Sequence, residues 1–166
     1  MTMRNIHSVQ VSIVIPCFNE EEVIRLTHRR LLEALGERPE IELQLVYVND
    51  GSRDDTEAIL FELGAEDPRV NVVSFTRNFG HQPAVTAGLD HASGDVVVVI
   101  DADLQDPPEV ILEMLEKWRQ GYHVVYGVRT KRKEGLFKRI AYRSFYRLYR
   151  RLASIEVQLD SGDFAL

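Results

Sequence analysis

The 166-residue sequence lacks several features that would place it in a special class of protein. Its single cysteine, Cys17, excludes an internal disulfide and a cysteine metal cluster, so a reducing compartment is expected. Its longest unbroken apolar run, Val96–Ile100, is far shorter than the ~20 residues of a membrane-spanning helix. Residues 1–10 have no apolar run after Arg4, so no secretory signal is expected. The composition is 45% hydrophobic and 28% charged, and we expect residues 1–166 to form a single globular domain.

Charge is distributed unevenly along the chain. Residues 1–128 contain 10 Lys and Arg against 22 Asp and Glu, whereas residues 129–151 contain 10 Lys and Arg against Glu134 alone. A basic segment on an acidic body indicates an anionic partner or, equally, a solvated helix face. A nucleic-acid partner is not expected, because the acidic body would repel phosphates.

The basic segment contains a predicted amphipathic helix over residues 135–153. At ~100° per residue, its apolar face collects Leu136, Phe137, Ile140, Ala141, Phe145, Leu148 and Leu152. Arginines form a second face and tyrosines a third, a combination that suits a membrane interface. The alternative is a surface helix that packs its leucine and phenylalanine side chains on its own core.

Five β-rich runs alternate with helical stretches. The predicted strands are Val11–Pro16, Ile41–Val48, Val70–Phe75, Asp95–Ile100 and Tyr122–Val128. Asn19 and Glu22 predict a capping box for the first helix, and Ser52 with Asp55 predicts the start of the second. The third and fourth helices are predicted over Pro83–His91 and from Pro107 to Gln120. This alternation predicts an α/β fold with a mostly parallel sheet and helices on both faces.

Acidic residues follow the fourth predicted strand, and ligands of open parallel sheets bind outside the carboxyl ends of strands. Asp101 and Asp103, two residues apart on an extended segment, would point to the same side. With Gln105 they form an oxygen-only ligand set that suits Mg²⁺ or Mn²⁺. The alternative is an acidic helix N-terminus, but both aspartates precede the predicted helix, so a metal site is favoured.

Asp50 follows the second predicted strand, within Val48-Asn-Asp-Gly-Ser52. Asn-Asp-Gly is an ordinary turn sequence. At the end of a parallel strand, the same carboxylate would also accept hydrogen bonds from a base or a ribose. The residues alone leave both interpretations open.

Five motifs occur in order: Ile15-Pro-Cys-Phe-Asn-Glu-Glu21, Val48-Asn-Asp-Gly-Ser-Arg-Asp-Asp-Thr56, Arg77-Asn-Phe-Gly80, Gly94-Asp followed by Ile100-Asp-Ala-Asp-Leu-Gln-Asp-Pro-Pro-Glu109, and Asp160-Ser-Gly-Asp-Phe164. This series resembles the family 2 glycosyltransferases, and among them the polyprenyl-phosphate branch typified by dolichol-phosphate mannosyltransferase. The resemblance covers about residues 9–166 and implies a Rossmann-like GT-A fold.

The resemblance also implies roles on the donor side. The nucleotide-sugar pocket would be lined by Pro16, Asn19, Glu20, Asp50 and Asp101. Within that set, Asp50 would hold the base and Asp101 would lie near the ribose or the sugar. Asp103 and Gln105 would ligate the Mg²⁺ or Mn²⁺ that bridges the diphosphate.

On the acceptor side, the resemblance implies that Arg129, Lys138 and Arg139 meet the acceptor phosphate. Asp163 would lie near the sugar or the metal, and Asp103, Arg129 and Asp163 would form the catalytic set. A lipid phosphate is already anionic and needs positioning rather than a general base. The candidate bases, His81 and His91, are interpreted as surface or helix-end histidines.

The implied activity is inverting transfer of a hexose from a UDP- or GDP-sugar to undecaprenyl or dolichyl phosphate, at the cytoplasmic face of a membrane. The alternatives are a soluble saccharide or protein acceptor, and a catalytically silent nucleotide-sugar-binding module. Members of this branch usually continue beyond the motif that ends at Phe164. The sequence is therefore expected to be a C-terminally truncated catalytic domain.

Overall fold

The computed structural model describes residues 8–128 and 161–166, and within those ranges the chain forms six strands and four helices. The strands are β1 (Val9–Cys17), β2 (Ile41–Asn49), β3 (Val70–Ser74), β4 (Val96–Val99), β5 (Tyr126–Val128) and β6 (Ser161–Ala165). The helices are α1 (Ile24–Leu31), which continues as a π-helical turn over Leu32–Gly36, α2 (Thr56–Glu66), α3 (His81–His91) and α4 (Val110–Arg119).

The strands form one mixed, mostly parallel sheet in the order β3-β2-β1-β4-β6-β5. β1 pairs in parallel with β2 and with β4, and β2 pairs in parallel with β3. β6 is antiparallel to both β4 and β5 and lies between them. The predicted α/β architecture is therefore confirmed, with an additional antiparallel strand that the alternating pattern did not predict.

Helices cover both faces of the sheet, as predicted. Ile13, Ile15 and Leu45 pack on one face against α1, α2 and α4. On the other face, Val14 and Val48 pack with Ala84 of α3. Gly88 of α3 permits this contact, because a Cβ there would lie 2.2 Å from a methyl carbon of Val14. Parallel strands buried on both faces are continuously apolar, which explains the Val96–Ile100 run.

Several predicted boundaries were wrong. The capping box of Asn19 and Glu22 does not form, since α1 begins at Ile24 after Val23 and has no side-chain cap. α2 begins at Thr56 without a side-chain cap from Asp55. The third helix begins at His81 rather than Pro83, the fourth spans Val110–Arg119, and the fifth strand is limited to Tyr126–Val128.

The predicted helix over residues 135–153 lies outside the described residues, and its membrane-interfacial role remains a prediction. In the described ranges, no helix combines the length and the hydropathy needed to cross a bilayer.

Candidate nucleotide-sugar site

A pocket of about 240 Å³ opens at the carboxyl edge of the parallel strands. Four segments line it: Pro16, Cys17, Phe18 and Glu20 at and after the end of β1; Asp50 after β2; Asn78, Gly80, His81 and Ala84 around the start of α3; and Asp101, Ala102 and Asp103 after β4. The sheet thus brings together five of the predicted site residues, namely Pro16, Glu20, Asp50, Asp101 and Asp103. Asn19 and Gln105 are not among the lining residues.

Hydrogen bonds join the loop after β1 to the loop after β2. Asn19 adopts a left-handed conformation (φ 57°), and its backbone N–H donates to Ser52 Oγ at 3.0 Å. Its side-chain Oδ1 accepts from the Arg53 backbone N–H at 2.9 Å. The Glu20 backbone N–H donates to Thr56 Oγ1 at 2.8 Å. Asn19 therefore fixes the wall of the pocket, and its nucleotide-binding role stays a prediction.

Asp50 builds another part of the wall. The residue is 3% exposed, and its two carboxylate oxygens accept hydrogen bonds from the backbone N–H groups of Phe79 at 2.7 Å and Gly80 at 2.9 Å. Gly51 follows at φ 64° and lies so close to the next segment that a Cβ would be 2.3 Å from the Arg77 carbonyl carbon. Asp50 therefore anchors the segment before α3, and its predicted contact with the base is not tested.

Asp101 and Asp103 lie in a turn, which corrects the expectation of an extended segment. β4 ends at Val99, and Leu104 is left-handed at φ 59°. The Gln105 backbone N–H donates to Asp103 Oδ1 at 2.9 Å, which holds the carboxylate over its own turn. Ala102 between the aspartates is buried, and both aspartates still line the pocket.

The pocket concentrates negative charge. Burial raises the pKa of Glu20 above its ordinary value, and the neighbouring charges of Asp103, Asp54 and Asp101 raise it further. Burial likewise raises the pKa of the Cys17 thiol, which behaves as a small apolar wall residue, as expected. A cation in the pocket would offset the repulsion among the carboxylates.

The donor chemistry of the pocket fits a hard divalent cation, because carboxylate oxygens are its preferred protein ligands. Within residues 8–128 and 161–166, no three His, Cys, Asp or Glu side chains converge on a common metal position. Mg²⁺ commonly binds one or two carboxylates together with substrate phosphates rather than an all-protein cage. Asp103 with a diphosphate would be a site of that type.

The predicted acceptor residues Arg129, Lys138 and Arg139 lie outside the described residues. Asp163 lies in β6, which runs antiparallel to β4 with Ala165 opposite Val99, so its backbone lies toward the carboxyl end of β4. Its proposed contact with the sugar or the metal is not tested.

Asn78, Gly80 and Ala84 line the pocket although the sequence did not mark them as site residues. His81 is exposed and begins α3, as expected of a surface or helix-end histidine, and it also lines the pocket. The motif Arg77-Asn-Phe-Gly80 belonged to the resemblance but received no role. The sequence did carry one indication that this motif has a structural role, the glycine at its end. In the structure Gly80 directly precedes α3 and has a positive φ of 100°.

The sequence of this chain is similar to those of known proteins. The family model described as "Glycosyl transferase family 2" matches residues 12–166. The chain is 54% identical over 159 residues to "Uncharacterized glycosyltransferase YkcC" of Bacillus subtilis, covering 95% of this chain and 49% of that protein. It is 45% identical to the "Bactoprenol glucosyl transferase" of Shigella phage SfV, and the match covers 95% of this chain and 52% of that protein. The chain thus spans about half the length of these relatives.

Among solved structures, the chain is similar to the mannosyltransferase PcManGT from Pyrobaculum calidifontis in complex with GDP-Man and Mn²⁺. The TM-score is 0.60 at 25% identity, and the likeness covers 87% of this chain and 39% of that one. The predicted GT-A fold is thereby confirmed.

Proposed function

Because the chain belongs to glycosyl transferase family 2, we propose that it transfers a hexose from a nucleotide-diphosphate sugar to a polyprenyl phosphate, with inversion at the anomeric carbon. The observation that carries the proposal is the acidic pocket at the carboxyl edge of the sheet. The bactoprenol glucosyl transferase relative supports a polyprenyl acceptor, since bactoprenol is a polyprenyl alcohol. The mannosyltransferase complexed with GDP-Man and Mn²⁺ supports a nucleotide-sugar donor and a divalent cation.

The donor would occupy the pocket with its nucleotide against the loops after β1 and β2. Pro16 and Glu20 line that side, and Asp50 holds the segment that forms the facing wall. Asp101 would accept hydrogen bonds from the ribose or the sugar. UDP- and GDP-sugars both fit this assignment.

Asp103, with Gln105, would hold Mg²⁺ or Mn²⁺ against the diphosphate of the donor. The cation supplies Lewis-acid stabilisation of the charge that develops on the departing nucleoside diphosphate. The chain itself holds Asp103 in place through the Gln105 backbone N–H. Glu20 and Asp101 add negative charge that favours cation binding in the same pocket.

The acceptor phosphate oxygen would attack the anomeric carbon from the face opposite the leaving diphosphate, which inverts the configuration. That carbon has oxocarbenium character in the transition state. The attacking oxygen is already anionic, so Arg129, Lys138 and Arg139 would position the phosphate rather than remove a proton. Asp163 would lie near the sugar. We place this reaction at the cytoplasmic face of a membrane, with residues 135–153 near the bilayer surface.

A transfer assay tests the proposal. The protein is incubated in detergent micelles with labelled UDP-glucose or GDP-mannose, Mn²⁺, and either undecaprenyl phosphate or a soluble saccharide. We expect label in the lipid fraction, dependence on the divalent cation, and loss of transfer in Asp103→Ala. Label in the saccharide alone would indicate the soluble-acceptor alternative. No transfer from either donor would indicate a silent binding module.

A further inference from the structure

We propose that Thr27 is a positioning residue that holds the Asp101–Asp103 turn in the geometry required for cation-dependent donor binding. This inference rests on the proposed function. It concerns a side chain on α1 that does not line the pocket and that has no place in the motifs of the sequence.

The side chain of Thr27 bonds directly to the aspartate turn. Thr27 is fully buried, and its Oγ1 lies 2.5 Å from the carbonyl oxygen of Ala102, which is itself 2% exposed. A hydroxyl has one proton to donate. The competing acceptor, the carbonyl oxygen of Val23 one turn earlier, is farther away at 3.1 Å and already accepts the Thr27 backbone N–H. The proton is therefore assigned to Ala102.

This bond acts on the peptide that immediately precedes Asp103. The turn follows β4, which ends at Val99, and the Ile100 N–H directly before it donates to the Val14 carbonyl oxygen of β1 at 3.0 Å. The Gln105 N–H fixes the Asp103 carboxylate relative to the turn, but it does not fix the turn relative to the rest of the protein. The Thr27 hydroxyl provides one connection of that kind, from α1 to the Ala102 carbonyl oxygen.

Helix α1 also adjoins another wall of the pocket, the loop that bears Glu20. The Glu20 carbonyl oxygen accepts the Ile24 backbone N–H at 2.9 Å, so the helix follows directly from the loop that bears Glu20. The same short helix thus connects Glu20 at its start to Ala102 through Thr27. Because negative charges on Glu20, Asp101 and Asp103 repel one another, a link between the two loops opposes their separation.

Two substitutions isolate the hydroxyl, and one matched control accompanies them. Thr27→Val keeps the shape and removes the donor, whereas Thr27→Ser keeps the donor and removes a methyl group. Thr86 provides the control, since it is exposed on α3 and its Oγ1 donates to the Gln82 carbonyl oxygen of the same helix at 2.9 Å. Thr86→Val removes a hydroxyl that touches no pocket loop.

The first measurement is amide hydrogen exchange of the full chain without ligands. Thr27→Val should speed exchange at residues 103–105, while Thr27→Ser and Thr86→Val should match the unsubstituted protein. The second is calorimetric titration of UDP-glucose and of GDP-mannose in Mn²⁺. Removal of groups that support metal ligands typically costs 10–100-fold in affinity. We expect that loss in Thr27→Val for the donor that binds, and less than about threefold in the other two variants.

Unchanged exchange and affinity in Thr27→Val would overturn the inference, as would equal losses in Thr27→Ser and Thr27→Val. If Thr27→Val does not fold, Thr27→Ala takes its place in the same comparison. If the unsubstituted protein binds neither donor, the proposed function is overturned. The exchange measurement still decides whether Thr27 holds the turn, because it needs no ligand.

Discussion

Two groups of acidic side chains in this molecule have opposite electrostatic surroundings. Asp67, after α2, is 7% exposed and accepts hydrogen bonds from Arg69 Nε at 2.8 Å and Nη2 at 2.8 Å. These bonds hold the pKa of Asp67 below its ordinary value. The pKa of Glu20 at the pocket is raised. Burial is the largest cause, and the neighbouring charges of Asp103, Asp54 and Asp101 raise it further.

The contrast distinguishes a structural carboxylate from one available to a ligand. Asp67 obtains its counter-charge from the chain, so its ionised form stabilises the fold. The ionised form of Glu20 is disfavoured in the folded protein, and a bound cation would reverse that effect. Negative charge at the pocket is thus a cost to the fold that binding of a cation with a diphosphate would offset.

The largest expected effect is on activity, from Asp103→Ala. Loss of an oxygen ligand should lower kcat/KM for transfer by roughly 100-fold or more, which corresponds to about 2.7 kcal/mol. The free energy of unfolding should change by less than about 0.5 kcal/mol, since the residue is exposed. Asp90→Ala, an exposed aspartate on α3, is the matched control and should retain full transfer. Equal transfer by the two variants would refute the metal role of Asp103.

Asp67→Ala should have the converse effect. Removing the partner of Arg69 should lower the free energy of unfolding by about 2 kcal/mol in urea denaturation, with donor affinity unchanged. The exposed Arg25–Glu62 pair gives a control, because Glu62→Ala should cost less than about 0.5 kcal/mol. A weakened donor affinity in Asp67→Ala would show that the two acidic groups are not independent.

Acid should destabilise the protein partly through His28 and Asp67. His28 is buried, with Nδ1 3.1 Å from the Tyr47 hydroxyl, and its burial lowers its pKa. At a pH between the lowered and the ordinary pKa, His28 is protonated in the unfolded chain but not in the folded one. The free energy of unfolding therefore falls as the pH drops below the ordinary histidine pKa of about 6.5. The part due to Asp67 is lost only at lower pH, as the pH falls through its depressed pKa.

Urea denaturation across this range is the measurement. His28→Gln should flatten the decrease below about pH 6.5 and leave the later loss due to Asp67. The same slope in both proteins would show that His28 does not cause the first decrease.

The smallest expected effect is a gain in stability from Glu20→Gln. A raised pKa means that ionised Glu20 opposes folding, so the neutral amide should stabilise the fold at pH 7 by roughly 0.3 kcal/mol after solvent screening. The gain should vanish as the pH falls below the ordinary glutamate pKa, where both states are protonated. Thermal unfolding at pH 7 and pH 4 measures it, and a loss of stability at pH 7 would contradict the comparison.

Alternation of apolar strands and helices was sufficient to predict the parallel sheet. β6 was not predicted, because Ser161–Ala165 contains Gly162 and Asp163, which are depleted in strands, and its partners β4 and β5 are distant in sequence or very short. The start of α1 was missed for a related reason. Asn19 bonds to the Arg53 backbone, 34 positions away, instead of capping its own helix.

The carboxyl-edge rule located Glu20, Asp50, Asp101 and Asp103 at the pocket, because parallel strands deliver their following loops to one edge. The rule could not predict that the Asp50 carboxylate would bond the amides before α3. Nor could it identify Thr27, because a threonine within a helical pattern carries no local signal of a distant carbonyl partner.

Donor binding is measured most directly by a thermal-shift panel of this chain with UDP-glucose, UDP-N-acetylglucosamine and GDP-mannose, each with Mn²⁺ or EDTA. A ligand at 100 times its Kd adds about 2.7 kcal/mol to stability, which the melting temperature reports clearly. A shift with one donor in Mn²⁺, abolished by EDTA and by Asp103→Ala, is the predicted result. A donor-induced shift that is equal in Mn²⁺ and EDTA and survives Asp103→Ala would contradict a cation-dependent donor site at this pocket.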